Sequence, residues 1–167
     1  MAGLMQIGEA FVGSGAEAAH LNTVLGERDG PVGAAWATAL ATPRAGHIAF
    51  VTVIRPGLAV KPLTLFINKA PLAGDDHARL TWGAAQAGVA GGVLDAVAAG
   101  VIERSATEGA VLLAAVWVDP TAADEELVYA NNRQATSDAL AAGRDGRPYL
   151  DDLLQVRDDP ANPFFRV

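Results

Sequence analysis

The sequence predicts an α/β fold of the α+β type, a sandwich in which helices pack on a largely antiparallel sheet. Three observations lead to this prediction. Segments rich in β-branched and aromatic residues occur in neighbouring pairs with turn residues between them, a pattern typical of antiparallel hairpins. Alanine- and glycine-rich segments with helical spacing follow those pairs. One uninterrupted apolar segment, 110–118, is about half as long as a membrane-spanning helix, and we interpret it as a buried strand.

Length and composition indicate how many domains the chain forms and whether it folds. The chain has 167 residues, which suits one domain over 1–167, because two domains of half that size would each bury little surface. Hydrophobic residues make up 51% of the chain and charged residues 19%, so intrinsic disorder is excluded. The chain holds 35 alanines and 18 glycines, and the small apolar area that such residues bury leads us to expect association with further copies.

Net charge and cysteine content limit which classes of partner and which bound groups are expected. The formal net charge of −7 argues against nucleic acid as a partner, because affinity for phosphate backbones comes largely from lysine and arginine. The absence of cysteine excludes disulfides, thiolate metal sites and a cysteine nucleophile, and we expect no metal. The first residues lack the basic region and long apolar stretch of an export signal. We therefore expect a cytoplasmic protein without a membrane partner.

The first elements are two strands and a helix. Residues 4–12 and 20–25 mix apolar and polar positions, and Gly13–Gly15 between them supplies the conformational freedom of a turn or a binding loop. The segment Pro31–Ala41 is typical of a helix, because proline is favoured at the first helical position and alanine has the highest helix propensity.

A second hairpin and a second helix follow. Residues 47–54 and 58–68 resemble paired strands, and Pro62 within the second predicts a sheet edge or a bulge, because proline has no N–H to donate. Residues 84–99 are apolar at helical spacing and end at Gly100, a residue suited to a left-handed C-terminal cap.

The last third of the chain predicts the strand at 110–118, a polar helix and a tail. The helix is expected over 122–142 and closed by Gly143. The tail, 149–167, mixes acidic and apolar residues and receives no assignment. Its Phe164 and Phe165 would be costly to leave in water, so we expect them to pack on a neighbouring subunit.

Three histidines are the first candidates for proton transfer, because imidazole titrates near neutral pH. His20 follows the glycine loop and would open a strand, where its ring either projects at the rim of a cleft or is an ordinary half-buried side chain. His47 opens another strand, and a surface role is expected. His77 follows Asp75 and Asp76, but adjacent ligands of this kind cannot all converge on one metal ion, which predicts a solvated loop.

Other residues have ordinary interpretations when taken one at a time. No P-loop, dinucleotide-binding glycine motif, nucleophile elbow or zinc-protease motif is present. Lys69 ends an apolar strand, where a solvated lysine is expected, and Gln86 is interpreted as a surface amide near a helix start. Three glycines inside the predicted helix favour close helix packing: Gly88, Gly91 and Gly92.

Together, these residues resemble a known family. The chain is similar to the formaldehyde-activating enzymes in register over nearly its whole length. The similarity is carried by Gly8-Glu9-Ala10, Val12-Gly13-Ser14-Gly15-Ala16-Glu17-Ala18-Ala19-His20, Lys61-Pro62 with Thr64, Phe66 with Asn68-Lys69, Gly83-Ala84-Ala85-Gln86 with Gly88-Val89-Ala90, Asp95-Ala96-Val97, Gln134-Ala135-Thr136 and Asn162-Pro163-Phe164.

The resemblance implies a fold and a reaction. Members of this family join formaldehyde to tetrahydromethanopterin, giving methylene-tetrahydromethanopterin and water, so this pterin is expected as the co-substrate. They form a ring of five subunits with the pterin site between neighbours, which predicts a homopentamer. Their fold resembles domain 2 of ribosomal protein S5.

The resemblance also assigns residues. By position, His20 corresponds to the catalytic histidine of the family, and Lys69 to its strand-end lysine. The pterin-contacting glutamine is Gln86, and an aliphatic pterin contact falls on Val51. Two further substrate-binding positions depart from the family pattern: an aspartate is replaced by Asn22, and a threonine by Pro71.

The chemistry of the reaction independently favours a histidine. A reduced pterin amine adds to formaldehyde, and the hydroxyl of the resulting hydroxymethyl amine must leave as water, so a protonated His20 within reach would act as general acid. Two other classes of function stay open. The departures at Asn22 and Pro71 favour a binding or sensing module that holds a pterin or a hydroxymethylated metabolite without useful turnover. The small-residue helix faces are also compatible with a structural oligomer.

Overall fold

The computed structural model describes residues 5–163. Seven strands lie within these residues. They are β1 (Met5–Val12), β2 (Ala19–Glu27), β3 (Ala49–Val51), β4 (Val53–Arg55), β5 (Leu58–Ala59), β6 (Leu63–Asn68) and β7 (Ala110–Trp117). The helices of the described chain are α1 (Pro31–Ala41), α2 (Asp75–Arg79), α3 (Gln86–Ala98), α4 (Glu125–Asp145) and α5 (Leu150–Gln155).

Five of the strands form one mixed sheet in the order β1-β2-β7-β6-β3. Neighbouring strands run antiparallel except β6 and β7, which are parallel. The predicted fold class, helices on a largely antiparallel sheet, is confirmed. β4 and β5 form a separate two-stranded ladder beside it.

One face of the sheet is covered by α3 and α4, which pack against each other. The core between them and the sheet holds Leu21, Phe66, Leu112 and Val93, all fully buried. A Cβ on Gly88 would lie 2.5 Å from the Tyr129 carbonyl oxygen, and one on Gly92 would lie 2.4 Å from the Arg133 carbonyl oxygen. The prediction that these glycines serve close helix packing is confirmed.

The opposite face, which we call the outer face, is partly covered by α1. This helix contacts β2, β7 and β3. Its Val32 is buried without belonging to the core beneath α3 and α4. β1 and the adjoining ends of β2 and β7 stay half-exposed on this face, and they frame the candidate site described below.

The second predicted hairpin is divided into two ladders. β3 pairs with β6, whereas β4 pairs with β5. Thr52 connects the ladders by donating its N–H to the Thr64 carbonyl and accepting the Val60 N–H. Pro62 lies in the break immediately before β6, where the ladder needs no donor from it.

Three predicted helix boundaries are wrong. The polar helix predicted to begin at residue 122 begins at Glu125. The helix predicted to begin at residue 84 begins at Asp75 and continues through a π-helical turn, Leu80–Ala85, into α3. The predicted end at Gly100, with φ of 71°, is correct. α4 ends at Gly146, which adopts the left-handed conformation, rather than at Gly143. Gly143 lies inside the helix, where a Cβ would lie 3.2 Å from the Ile7 carbonyl carbon.

The tail contains α5, whose apolar residues are exposed. Phe164 and Phe165 lie outside the described residues, so their predicted packing stays a prediction. Within 5–163, no helix combines the length and apolarity needed to cross a bilayer. In the same residues, no group of three or more histidine, aspartate or glutamate side chains is placed to hold a metal ion.

Candidate active site

Strand register places the predicted catalytic histidine in a row across the outer face. Phe11, His20 and Trp117 are partners on β1, β2 and β7, so their side chains lie next to one another on the same face. The neighbouring row begins with Glu9 and Asn22, which are also paired. These residues are half-exposed, and a ligand can therefore reach them from solvent.

The Gly8-Glu9-Ala10 motif is explained by the two faces of β1. A Cβ on Gly8 would lie 1.8 Å from the Ala139 carbonyl oxygen, so only glycine lets α4 lie this close to the strand. Ala10 is buried in the core on the same side. Because side chains alternate along a strand, Glu9 points to the outer face. The motif thus directs a carboxylate into the row beside His20.

The glycine loop before β2 is fixed to α4. Gly13 has φ of 87°, and a Cβ there would lie 2.6 Å from Asn131 Nδ2. The Asn131 amide donates to the Glu17 carbonyl at 2.8 Å, within the short helical turn that leads into β2. Beside this loop lies an open cavity of about 550 Å³, and its walls include Phe11 and Trp117, the cross-strand partners of His20.

His20 is held by two neighbours from β1. Its Nε2 lies 3.1 Å from Glu9 Oε1, and the two side chains are 41% and 58% exposed. The Phe11 ring lies 6.0 Å from the imidazole, centroid to centroid, at a tilt of 49°. The geometry supports the interpretation of His20 as a residue at the rim of a cleft, with one ring nitrogen engaged and the ring partly open to solvent.

Lys69 is not the solvated strand-end lysine that its position predicts. It is half-buried, and its Nζ donates to Asn22 Oδ1 at 2.6 Å across β7. Burial lowers the pKa of the Lys69 ammonium, and the negative charge of Glu9 opposes part of this effect. Glu9 is therefore the carboxylate that both contacts His20 and acts on the charge of Lys69.

Gln86 is likewise not a surface amide. It is buried at the start of α3, directly after the π-helical turn, and its Oε1 accepts the Val53 N–H at 2.7 Å. This bond joins α3 to the β4–β5 ladder. Gln86 therefore lies on the side of the sheet that carries α3 and α4, whereas His20 lies on the outer face.

Two predicted pterin contacts lie apart from His20. Val51 is on β3, which is separated from β2 by β7 and β6, so about 14 Å of sheet lies between the two strands. Pro71 follows β6 in an exposed loop and packs near Gly46, where a Cβ would lie 3.0 Å from the proline ring. In this chain the structure brings together Glu9, His20, Asn22 and Lys69, and it separates them from Val51, Pro71 and Gln86.

The other two histidines differ from each other. His47 is exposed, as expected. The prediction of a solvated loop at His77 is wrong, because this residue is buried in α2. Its Nδ1 accepts the Ala73 N–H at 3.0 Å, and its Nε2 lies 2.9 Å from the Val118 carbonyl oxygen. Both ring nitrogens thus fix the loop before α2 to the end of β7.

A comparison with protein families gives one match over most of the chain. The model of the family described as formaldehyde-activating enzyme matches residues 7–165, which is nearly the whole chain. The chain belongs to the formaldehyde-activating enzyme family. The match includes every residue of the candidate site.

Relatives of this formaldehyde-activating enzyme family member support the assignment. The 5,6,7,8-tetrahydromethanopterin hydro-lyase of Methanosarcina barkeri is 39% identical over 158 residues, which cover 95% of this chain and 89% of the relative. The bifunctional enzyme Fae/Hps of Methanococcoides burtonii is 40% identical over 95% of this chain. That of Archaeoglobus fulgidus is 37% identical over 95%. The chain spans about 40% of the length of these two bifunctional relatives.

The contact between Glu9 and His20 was not predicted from the sequence. In the sequence, Glu9 stands out only as part of a motif. Pairing the two predicted strands across the glycine loop would have placed Glu9 opposite Asn22, and strand alternation would have put its side chain on the face of His20.

Proposed function

We propose that this protein condenses formaldehyde with tetrahydromethanopterin to give methylene-tetrahydromethanopterin and water, with His20 as general acid. The observation that carries the proposal is the position of His20, half-exposed beside Glu9 and flanked by Phe11 and Trp117, in a chain of the formaldehyde-activating enzyme family. The cavity of about 550 Å³ beside this row is in the size range of small-molecule sites.

The proton transfers define the task of His20. A pterin amine adds to the formaldehyde carbon, and the aldehyde oxygen becomes a hydroxyl. His20 donates a proton to this hydroxyl while the carbon–oxygen bond breaks, so that water leaves and a carbon–nitrogen double bond forms. The second amine then attacks the same carbon and releases its proton, which restores the imidazolium. Such a general acid accelerates a reaction by about 10² to 10⁴.

Binding energy must come from the pterin, because formaldehyde offers too few atoms to hold. Asn22 and Lys69 adjoin His20 and are proposed pterin contacts, as are Val51, Pro71 and Gln86. The distance of these last three from His20 within one chain supports a site completed by a neighbouring subunit. We therefore propose a homopentameric ring in which each site combines residues from two copies.

Two further parts of the proposal concern the number of domains and the location in the cell. We propose that residues 1–167 act as one domain, which the continuous core beneath α3 and α4 supports. We also propose that the protein acts in the cytoplasm, and fractionation of the producing cells would test this location.

The deciding experiment is the rate of formaldehyde consumption with purified protein and tetrahydromethanopterin, compared with the spontaneous reaction. Acceleration is expected for the natural chain, and loss of acceleration for His20→Ala. His77→Ala is unsuitable as a control because His77 is buried, whereas His47→Ala removes an exposed histidine and should retain the rate. Equal rates with and without protein would contradict the proposal.

The same preparation tests the second candidate function. The replacement of the family aspartate by Asn22 and of the family threonine by Pro71 favours a pterin-binding or sensing protein. Calorimetry with tetrahydromethanopterin would then show heat of binding without catalytic acceleration. Absence of both binding and acceleration would favour the structural oligomer.

A further inference from the structure

Glu9 is the carboxylate that the structure places against His20. In the register of β1 and β2, Phe11 lies opposite His20 and Glu9 lies opposite Asn22, which makes Glu9 the diagonal neighbour of His20. Glu9 Oε1 lies 3.1 Å from His20 Nε2, which makes an ion pair when the ring is protonated. The contact engages one ring nitrogen and leaves Nδ1 for another partner.

A second cation lies on the same face but has a different acceptor. The Lys69 ammonium donates to Asn22 Oδ1 at 2.6 Å. Because an asparagine oxygen carries no formal charge, the negative charge near both His20 and Lys69 comes from Glu9. With an uncharged amide at position 22, this site depends on Glu9 for its negative charge.

Other charged groups lie near this row. Asp138, Arg147 and Asp152 line a cavity together with Glu9 on the side of α4. Asp138 accepts from the Gln134 amide at 2.8 Å, and Arg147 donates to Asp145 at 2.9 Å.

Asp119, beyond the end of β7, accepts the Thr121 N–H at 2.7 Å and the Thr121 hydroxyl at 2.6 Å. Glu17, in the turn before β2, accepts the Ala123 N–H at 3.3 Å. β7 presents an indole opposite His20, and α1 contains no titratable side chain.

We propose that Glu9 is a positioning residue that holds Nε2 of His20, so that Nδ1 delivers the proton to the leaving hydroxyl. The inference rests on the proposed function, because it gives Glu9 a task in the same reaction. In the protonated ring, Nε2–H donates to Glu9 and Nδ1–H faces the substrate. Nδ1–H passes to the hydroxyl oxygen as water leaves, and the proton released by the second amine returns to Nδ1. The Glu9 carboxylate keeps its contact with Nε2 and stabilises the imidazolium.

Glu9→Gln tests this task because it removes the charge while keeping the size of the side chain. Single-turnover rates at saturating tetrahydromethanopterin should fall by about tenfold or more, because the imidazolium loses its carboxylate partner. The KM for the pterin should stay within about threefold, since Glu9 is not a pterin contact. The fall in rate on the alkaline side of the pH profile should move to lower pH.

Two comparisons make the result specific. Glu27→Gln makes the same charge change at the exposed far end of β2 and should leave rate and pH profile unchanged. In an Asn22→Asp background, Glu9→Gln should cost less than in the natural chain, because a carboxylate is again present directly across the strand pair. A Glu9→Gln protein with the natural rate and pH profile would overturn the proposal. So would an equal loss in Glu27→Gln.

Nitrogen-15 NMR of the His20 ring separates this proposal from the proposed function. In alkaline solution the natural protein should hold the ring proton on Nε2, facing Glu9, and Glu9→Gln should show a mixture of the two tautomers. If the natural protein does not accelerate the condensation, the proposed function fails while this result still decides whether Glu9 holds Nε2. An unchanged tautomer in Glu9→Gln overturns the positioning role. Denaturation midpoints confirm that each variant is folded.

Discussion

At the residue scale, the site is a set of charges arranged around a half-exposed imidazole. His20 lies beside Glu9, and Lys69 is bonded to Asn22. Because the polar contacts of His20 are exposed, its removal should cost little stability. Its catalytic and structural roles can therefore be measured separately.

The first prediction concerns His20 itself. His20→Ala and His20→Gln should lose the acceleration over the spontaneous condensation, while pterin affinity stays within about threefold, because a proton donor acts mainly in the transition state. The free energy of unfolding, measured by denaturant titration, should change by less than about 1 kcal/mol. A histidine with a structural role would show the reverse, with a loss of about 1 to 3 kcal/mol and activity falling only as the fold fails.

The second prediction concerns Asn22. In Asn22→Asp, a carboxylate accepts the Lys69 ammonium and leaves Glu9 to serve His20, so the single-turnover rate should rise. The alkaline limb of the rate profile should move to higher pH. Gln155→Glu adds a negative charge on the exposed α5 and serves as the control. An unchanged rate and profile in Asn22→Asp would show that position 22 does not influence the reacting centre.

The third prediction is a pH dependence of stability. Burial lowers the pKa of Lys69, so the unfolded chain binds this proton more readily than the folded chain does. The resulting penalty is relieved as the pH rises through the folded pKa toward 10.5, the ordinary value for lysine. Relative to Lys69→Met, the natural chain should therefore gain stability as the pH rises toward 10.5. Urea midpoints that change in parallel for both proteins would contradict this.

The candidate residues show which features of the site could be predicted from the sequence and which could not. The family resemblance, rather than the residues taken one at a time, led to the prediction of His20, Lys69 and Gln86 as site residues. Their surroundings could not be predicted, because Lys69 bonds to Asn22 on β2 and Gln86 bonds to Val53 on β4, both distant along the chain. The prediction for His77 was wrong for the same reason, since its partner Val118 follows β7 and is distant along the chain.

At the element scale, the contact between α3 and α4 depends on glycine. Gly92→Ala would place a methyl group 2.4 Å from the Arg133 carbonyl and 2.6 Å from Thr136 Cβ. The helices must then separate, and we expect a loss of about 1 to 3 kcal/mol. Gly83→Ala, within the π-helical turn, meets no atom within 4 Å and is the matched control. Equal chemical denaturation midpoints for the two variants would exclude close packing as the reason for Gly92.

The same helix pair carries an ion pair at its rim. Arg133 donates to both carboxylate oxygens of Asp95, at 2.6 and 2.8 Å, and these hydrogen bonds lower the pKa of Asp95. A lowered carboxylate pKa contributes stability that is present above 3.8 and is lost as the pH falls through the folded pKa. Because the pair is exposed, Asp95→Asn should cost less than about 1 kcal/mol at neutral pH.

Acid titration checks this assignment. The difference in unfolding free energy between the natural chain and Asp95→Asn should shrink as the solution becomes acidic. Asp138→Asn, on the exposed face of α4, is a control with the same charge change. A difference that is independent of pH would mean that Asp95 acts by packing rather than by charge.

Element boundaries were predictable where a local signal ends the element. Pro31 at a helix start and Gly100 at a helix end are such signals, and both are correct. The signals at residue 84 and at Gly143 misled because the tertiary structure overrides them. A π-helical turn continues the helix upstream of residue 84, and the close approach of β1 explains the glycine inside α4.

At the scale of the whole molecule, the outer face keeps large apolar side chains in solvent. On β1, the edge strand, Met5 and Ile7 are 58% and 59% exposed, and Phe11 is 42% exposed. An apolar group of this kind next to the candidate site is typical of an interaction surface. It supports the proposed ring, in which this face contacts a neighbouring copy.

Ile7→Glu tests the contribution of this surface to assembly. The new charge should lower the mass measured by light scattering at micromolar concentration, because an ionised carboxylate is costly to bury in an interface. Leu127→Glu, at an exposed position on α4, should leave the mass unchanged. A natural chain that is monomeric under these conditions would contradict the ring, and an unchanged mass in Ile7→Glu would exclude β1 from its contacts.

The position of β7 has a consequence for how the protein is made. It is the last strand of the described chain, yet it lies in the middle of the sheet between β2 and β6. During synthesis the two flanking groups of strands leave the ribosome before the strand that joins them, and closing such long loops slows folding. Lys69 can meet Asn22 only after that strand has been inserted. A nascent chain that stalls before Ala110 would expose two unpaired strand edges, which are templates for aggregation.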